Sequence, residues 1–148
     1  MAHYRATIDT DHGSEEVFAY LSDFSNAREW DPGVVEAERV TGQEVGLGTR
    51  FSLIARFLGR HNQLTYRIVE FQPPRSVTFL GENRSVVSRD RIVFEPGAAG
   101  TRITYDAELT MKGLFKFLDP LLGLAFKRVG DRAVVGMSRV LEQPLSLG

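Results

Sequence analysis

The sequence contains no cysteine, which excludes disulfides, thiolate nucleophiles, Cys-ligated zinc and iron–sulfur clusters. It has little histidine. His3 lies near the terminus, His12 in a polar loop and His61 in a hairpin, and none has metal-ligand spacing to another histidine or carboxylate. Neither a metal nor a cofactor is expected. A charge imbalance is missing too: 18 basic against 19 acidic residues leave a formal charge of −1 and no electrostatic footprint for nucleic acid. No stretch approaches the roughly 18 consecutive apolar residues of a membrane span, and the first residues lack the apolar run of a signal peptide. The expectation is a cytoplasmic protein without stable membrane insertion. No serine sits in a nucleophile elbow. The glycines between Gly42 and Gly48 are followed by neither a helix start nor a lysine, so they read as turns and not as a phosphate loop.

What is present is a chain of 148 residues, 43% hydrophobic, with no repeat or linker, which reads as a single domain over 1–148. A short strand near Tyr4–Thr10 leads into a helix. Ser14 is its expected cap, Glu15 and Glu16 suit the positive end of its dipole, and Val17, Phe18 and Leu21 form its apolar stripe. A second short helix is expected from an Asp23 cap to the only tryptophan, Trp30, and it must stop before Pro32. The period then becomes that of strands. Six β-rich segments follow, near 34–40, 49–58, 62–71, 75–81, 84–94 and 101–111, separated by turn signals. Glu36 and Glu38 in the first of them read as edge-strand protection. The chain closes with a long helical segment over 114–142. Asp119-Pro120 starts its main helix, Leu121, Leu122, Ala125, Val129, Ala133, Met137 and Val140 trace one face, and Lys127, Arg128, Asp131, Arg132, Arg139 and Glu142 take the other. Phe115, Phe117, Leu124 and Phe126 make its first half apolar on more than one side.

Alternation decides which side chains turn inward. In the last strand Ile103, Tyr105, Ala107, Leu109 and Met111 must face the core. In the strand before it, Arg89 and Arg91 share a face and resist burial, so Val86, Ser88, Asp90, Ile92 and Phe94 turn in. A hairpin whose residue numbers sum to about 195 sets Arg89 opposite Asp106 and Asp90 beside Tyr105. Asp90 and Ser88 are then a polar defect in an apolar wall. Either they anchor a ligand with Tyr105, or an open strand end or a bulge releases them to solvent. Glu70 raises the same question, and a bulge near Val69 is expected to free it and return Phe71 to the core. Phe51, Leu53, Ala55, Phe57, Val77 and Phe79 complete the inner face.

The segments at 14–32, 46–53, 66–79, 100–109 and 113–126, in the order strand, two short helices, six strands, long helix, resemble the START-like (helix-grip) superfamily. Within it they resemble the polyketide cyclase/dehydrase and lipid-transport group. The resemblance covers about Tyr4 to Glu142. It implies an α+β helix-grip fold: a curved seven-stranded antiparallel sheet, two short helices, and a long C-terminal helix over an apolar cavity. Trp30 is then expected to pack over the helix–sheet junction, with Asp23 and Asp31 serving caps and turns. The implied function is binding of a hydrophobic or aromatic, lipid- or polyketide-like small molecule. The expected contacts are Phe57, Tyr66, Phe79, Ser88, Asp90, Tyr105, Leu109, Leu118, Leu122 and Phe126. The alternative is a cyclase, aromatase or dehydratase using the same cavity, for which Asp90 and Tyr105 are the only derivable acid/base pair and no arginine of the sheet is placed inside. A third reading has the Phe and Leu residues around 115–126 meet a partner or form a homodimer. In that same region Lys116, Lys127 and Arg128 could guide an anionic amphiphile or touch a membrane surface.

Overall fold

A computed structural model describes residues 1–42, 44–57, 59–113 and 119–145, and for 119–121 the backbone alone. The expected order is found. Strand β1 (Ala2–Thr10) is followed by helix α1 (Ser14–Leu21), a 3-10 turn (Phe24–Asn26) and helix α2 (Ala27–Trp30). Strands β2 (Val34–Arg39), β3 (Arg50–Phe57), β4 (Arg60–Gln72), β5 (Ser76–Glu82), β6 (Val86–Pro96) and β7 (Thr101–Met111) come next, and helix α3 (Asp119–Leu141) closes the chain. The strands make one curved antiparallel sheet in the order β1-β7-β6-β5-β4-β3-β2, so β1 and β2 are its edges. Glu36 and Glu38 are exposed on the β2 edge, where charge discourages pairing with another chain.

Two local readings change. The residue before α1 with extended backbone is Gly13, so Ser14 already lies inside the helix and its hydroxyl contacts Thr101 Oγ1 at 3.0 Å instead of capping. Asp23 does cap, accepting from Ser25 N at 3.0 Å at the start of the 3-10 turn. The β6–β7 register also differs. Pro96 pairs with Thr101 and Gly97 N donates to Gly100 O at 2.8 Å, which leaves a four-residue loop. The strands therefore slide by two: Arg89 faces Glu108, Arg91 faces Asp106, and Asp90 faces Ala107. A slide of two keeps every side chain on its face, and Ser88, Asp90, Ile92 and Phe94 are all buried.

The bulge in β4 falls between Ile68 and Glu70. It leaves Val69 exposed and brings Phe71 to within 5.3 Å of the Phe18 ring, centroid to centroid. Glu70 accepts from Thr78 Oγ1 at 2.8 Å and from Arg91 Nε at 3.3 Å. These donors, Thr78 first, hold its carboxyl below the usual range.

Helix α3 lies against β1 and α2. Its inner stripe runs through Leu122, Ala133, Met137 and Leu141, and the charged residues from Lys127 to Arg139 take the outside. Two glycines set how closely it approaches. A Cβ at Gly130 would stand 2.6 Å from the Tyr4 ring, and one at Gly136 would stand 2.0 Å from the Trp30 carbonyl oxygen. Tyr4 also donates to Asp131 Oδ1 at 2.8 Å, and partial burial with that carboxylate pushes its hydroxyl up to about 12. No helix among the described residues is long and apolar enough to cross a membrane.

Candidate functional site

The sheet does not fill the space beneath α3. Between its inner face, α2 and the α3 segment from Phe126 to Met137 lies a cavity of about 490 Å³. Leu53, Leu64, Leu109, Met111, Phe126 and Val134 supply apolar wall. The outer end carries Arg56, Phe57, Arg60, Asn62, Asn83 and Ser85, with both arginines exposed. The β3–β4 hairpin thus brings two arginines of the sheet to the rim of the cavity, outside its interior.

The inner end is polar and acidic. Asp90, on the inward face of β6, is only 8% exposed. Ser88 Oγ donates to its Oδ1 at 2.8 Å, and the Tyr105 hydroxyl donates to its Oδ2. Tyr105 lies two residues from the direct cross-strand partner, a diagonal that an aromatic side chain can span. Burial raises the Asp90 carboxyl above the ordinary range, and the two hydroxyls oppose this in part. Across the cavity, Asp31 terminates α2, accepts Gly33 N at 2.8 Å and lines the wall. Burial, with Asp90 as a like-charged neighbour, pushes its carboxyl up to about 6 against the lowering effect of Gly33. Tyr66 and Tyr105 are raised as well, first by burial and then by the nearby carboxylates. Tyr66 keeps its orientation because Gly81 faces it across the β4–β5 pair, where a Cβ would lie 2.4 Å from the ring.

Trp30 takes the junction position expected of it, buried 6.2 Å from Phe24 and 6.0 Å from Tyr105, ring to ring. It also lines the cavity. Its buried indole N–H finds no acceptor among the described residues, and an unmet donor of this kind costs about 1–3 kcal/mol.

Of the ten side chains expected to meet a ligand, the cavity gathers Phe57, Tyr66, Ser88, Asp90, Tyr105, Leu109 and Phe126. Phe79 is not among the lining. It faces inward but Phe24 stacks on it at 3.6 Å, so the 3-10 turn shields it. Leu122 is not either, because it is consumed in packing with Ala2, Leu109 and Met111. Leu118 lies outside the described residues, as do Phe115, Lys116 and Phe117. Leu124 points away from the cavity and is 58% exposed. Sequence reasoning missed Asp31, whose local turn role already explained it; the signal available was a carboxylate adjoining the only tryptophan. It also missed that the fold sets His3 Nε2 2.6 Å from Asp106 Oδ1, with Glu108 alongside. That cluster is on the outer face, where Arg5, Arg89 and Arg91 pair across from its acids.

A long helix gripped by a seven-stranded antiparallel sheet, with a cavity between them, is the START-like helix-grip fold. The polyketide cyclase/dehydrase and lipid-transport family model matches residues 1–142, and the chain belongs to that family. A START superfamily protein from Mycobacterium smegmatis superposes with a TM-score of 0.78 at 10% identity, over 94% of this chain and 96% of that one. A protein of Thermus thermophilus does so with a TM-score of 0.78 at 17% identity and the same coverage. The ZhuI aromatase/cyclase from Streptomyces sp. R1128 gives 0.73 at 14% identity, over 94% and 90%. No curated protein sequence matches.

Proposed function

We propose that this protein binds a hydrophobic or aromatic small molecule in the cavity beneath α3. The observation that carries the reading is one of construction. An apolar space of about 490 Å³ is in the size range of small-molecule sites, and it ends on a few converging polar groups at Asp90. Family membership supports the same class of ligand. The test is native mass spectrometry of the purified protein and of Ala107→Phe, with organic extraction of what is released. Ala107 is buried in the cavity wall opposite Asp90, so a phenyl group there occupies the space. A one-to-one adduct on the wild type that is absent from the variant is expected. An adduct held equally by both contradicts the cavity as its site.

A second reading, an enzyme of the cyclase, aromatase or dehydratase type, draws on one further observation: two carboxyl groups with raised affinity for protons face the same space. Extraction separates the readings, since a carrier releases its ligand unchanged whereas an enzyme releases a product of it.

A further inference from the structure

The inner end of the cavity carries two carboxyl groups and, among the described lining residues, no basic side chain. Asp31 and Asp90 both line it. The Ser88 and Tyr105 hydroxyl protons are already committed to Asp90, and among the described residues the Asp31 carboxyl takes only the Gly33 amide. Among the described lining residues the basic ones are Arg56 and Arg60, and both are exposed at the outer end. Two carboxyl groups thus face the cavity with no cation beside them among the described residues. Buried carboxylates are ordinarily paired or bound to a metal. The walls around them are aromatic, with Trp30, Tyr66 and Tyr105 lining the same space, and aromatic faces attract ammonium groups. The cavity is the independent sign that a ligand exists; the acid pair decides what that ligand presents.

Resting on the proposed binding role, we infer that the ligand carries a protonated amine at its buried end, held between Asp31 and Asp90, with an apolar or aromatic body along the α3 side. An ammonium supplies donors to both carboxylates and relieves their mutual repulsion. A ligand carboxylate in that position would add a third negative charge beside Asp31 and Asp90, so the site discriminates by repulsion as much as by attraction.

The experiment uses three probes that share a ring system and differ in head group: 1-naphthylmethylamine, 1-naphthalenemethanol and 1-naphthoate, titrated calorimetrically near neutral pH into the wild-type chain. The amine is expected to bind at least about tenfold more tightly than the alcohol, and the carboxylate weakest. Asp90→Asn and Asp31→Asn, each isosteric and checked for cooperative unfolding, should bring amine and alcohol to within about twofold of each other. Equal affinity for amine and alcohol, or a carboxylate that binds as well as the amine, overturns this inference and leaves the binding role standing. If none of the three binds, or if Ala107→Phe binds all three unchanged, the binding role itself fails.

Discussion

Gly136→Ala is expected to destabilise the protein by about 3 kcal/mol, a fall in Tm of roughly 10 °C for a chain of this size. The usual sign is the opposite, because alanine is favoured over glycine within a helix by about 1 kcal/mol. Here the new methyl would stand 2.0 Å from the Trp30 carbonyl oxygen and 3.0 Å from its carbon. Those are backbone atoms at the end of α2, so no side chain can rotate away, and α3 must lift off or α2 must shift. Gly123→Ala is the control on the same helix. That position is exposed, and no described atom lies within 4 Å of where its methyl would stand, so the ordinary gain of about 0.5–1 kcal/mol should appear. Thermal unfolding of the two variants beside the wild type checks both signs. Because α3 roofs the cavity and Trp30 lines it, the Gly136 variant should also shift the emission of the single tryptophan.

Asp31→Asn is expected to stabilise the protein at alkaline pH and to do nothing at acid pH. In the folded chain this carboxyl holds its proton up to about 6, against about 3.9 for a free aspartate. From about pH 4 upward the folded state therefore binds more protons than the unfolded one. The stability from that difference is fully present below the unfolded value and is lost as pH rises through the folded one. By pH 8 the loss reaches up to about 3 kcal/mol, at about 1.4 kcal/mol per pH unit of displacement. Asparagine has no such charge, and its side-chain oxygen can still accept the Gly33 amide now bound at 2.8 Å. Urea unfolding of both proteins should give coincident midpoints near pH 4 and a gap that widens toward pH 8. A constant gap would place Asp31 in a solvated setting. Asp90, raised by the same cause, adds to the decline of the wild type with pH. Two such groups against one cavity are a cost in stability that the proposed binding site would account for.

Much of the fold was legible because alternation and helix period are local signals. The inward placement of Ser88 and Asp90 follows from keeping Arg89 and Arg91 out of the core, and it survived a register error because sliding by two preserves the face. The bulge between Ile68 and Glu70 followed from the cost of burying a glutamate beside an inward Ile68. Depth within the core was not legible. Phe79 and Leu64 both face inward in β5 and β4, yet only Leu64 borders the cavity, because Phe24 from the distant 3-10 turn stacks on Phe79. Long-range approach was illegible for the same reason: nothing in the sequence around Gly136 announces the Trp30 carbonyl, which only the packing of α3 on α2 brings there. Asp31 was hidden by its own adequacy as a turn residue.

The central claim, that the space under α3 receives an apolar ligand, is tested most directly with N-phenyl-1-naphthylamine, an uncharged aromatic amine at neutral pH whose fluorescence rises in apolar surroundings. Titrated into the wild type, it should give a saturable one-to-one enhancement. Ala107→Phe, with unfolding stability matching the wild type, should bind at least about tenfold more weakly. Equal enhancement in the two proteins, or none that saturates in the wild type, would contradict the account.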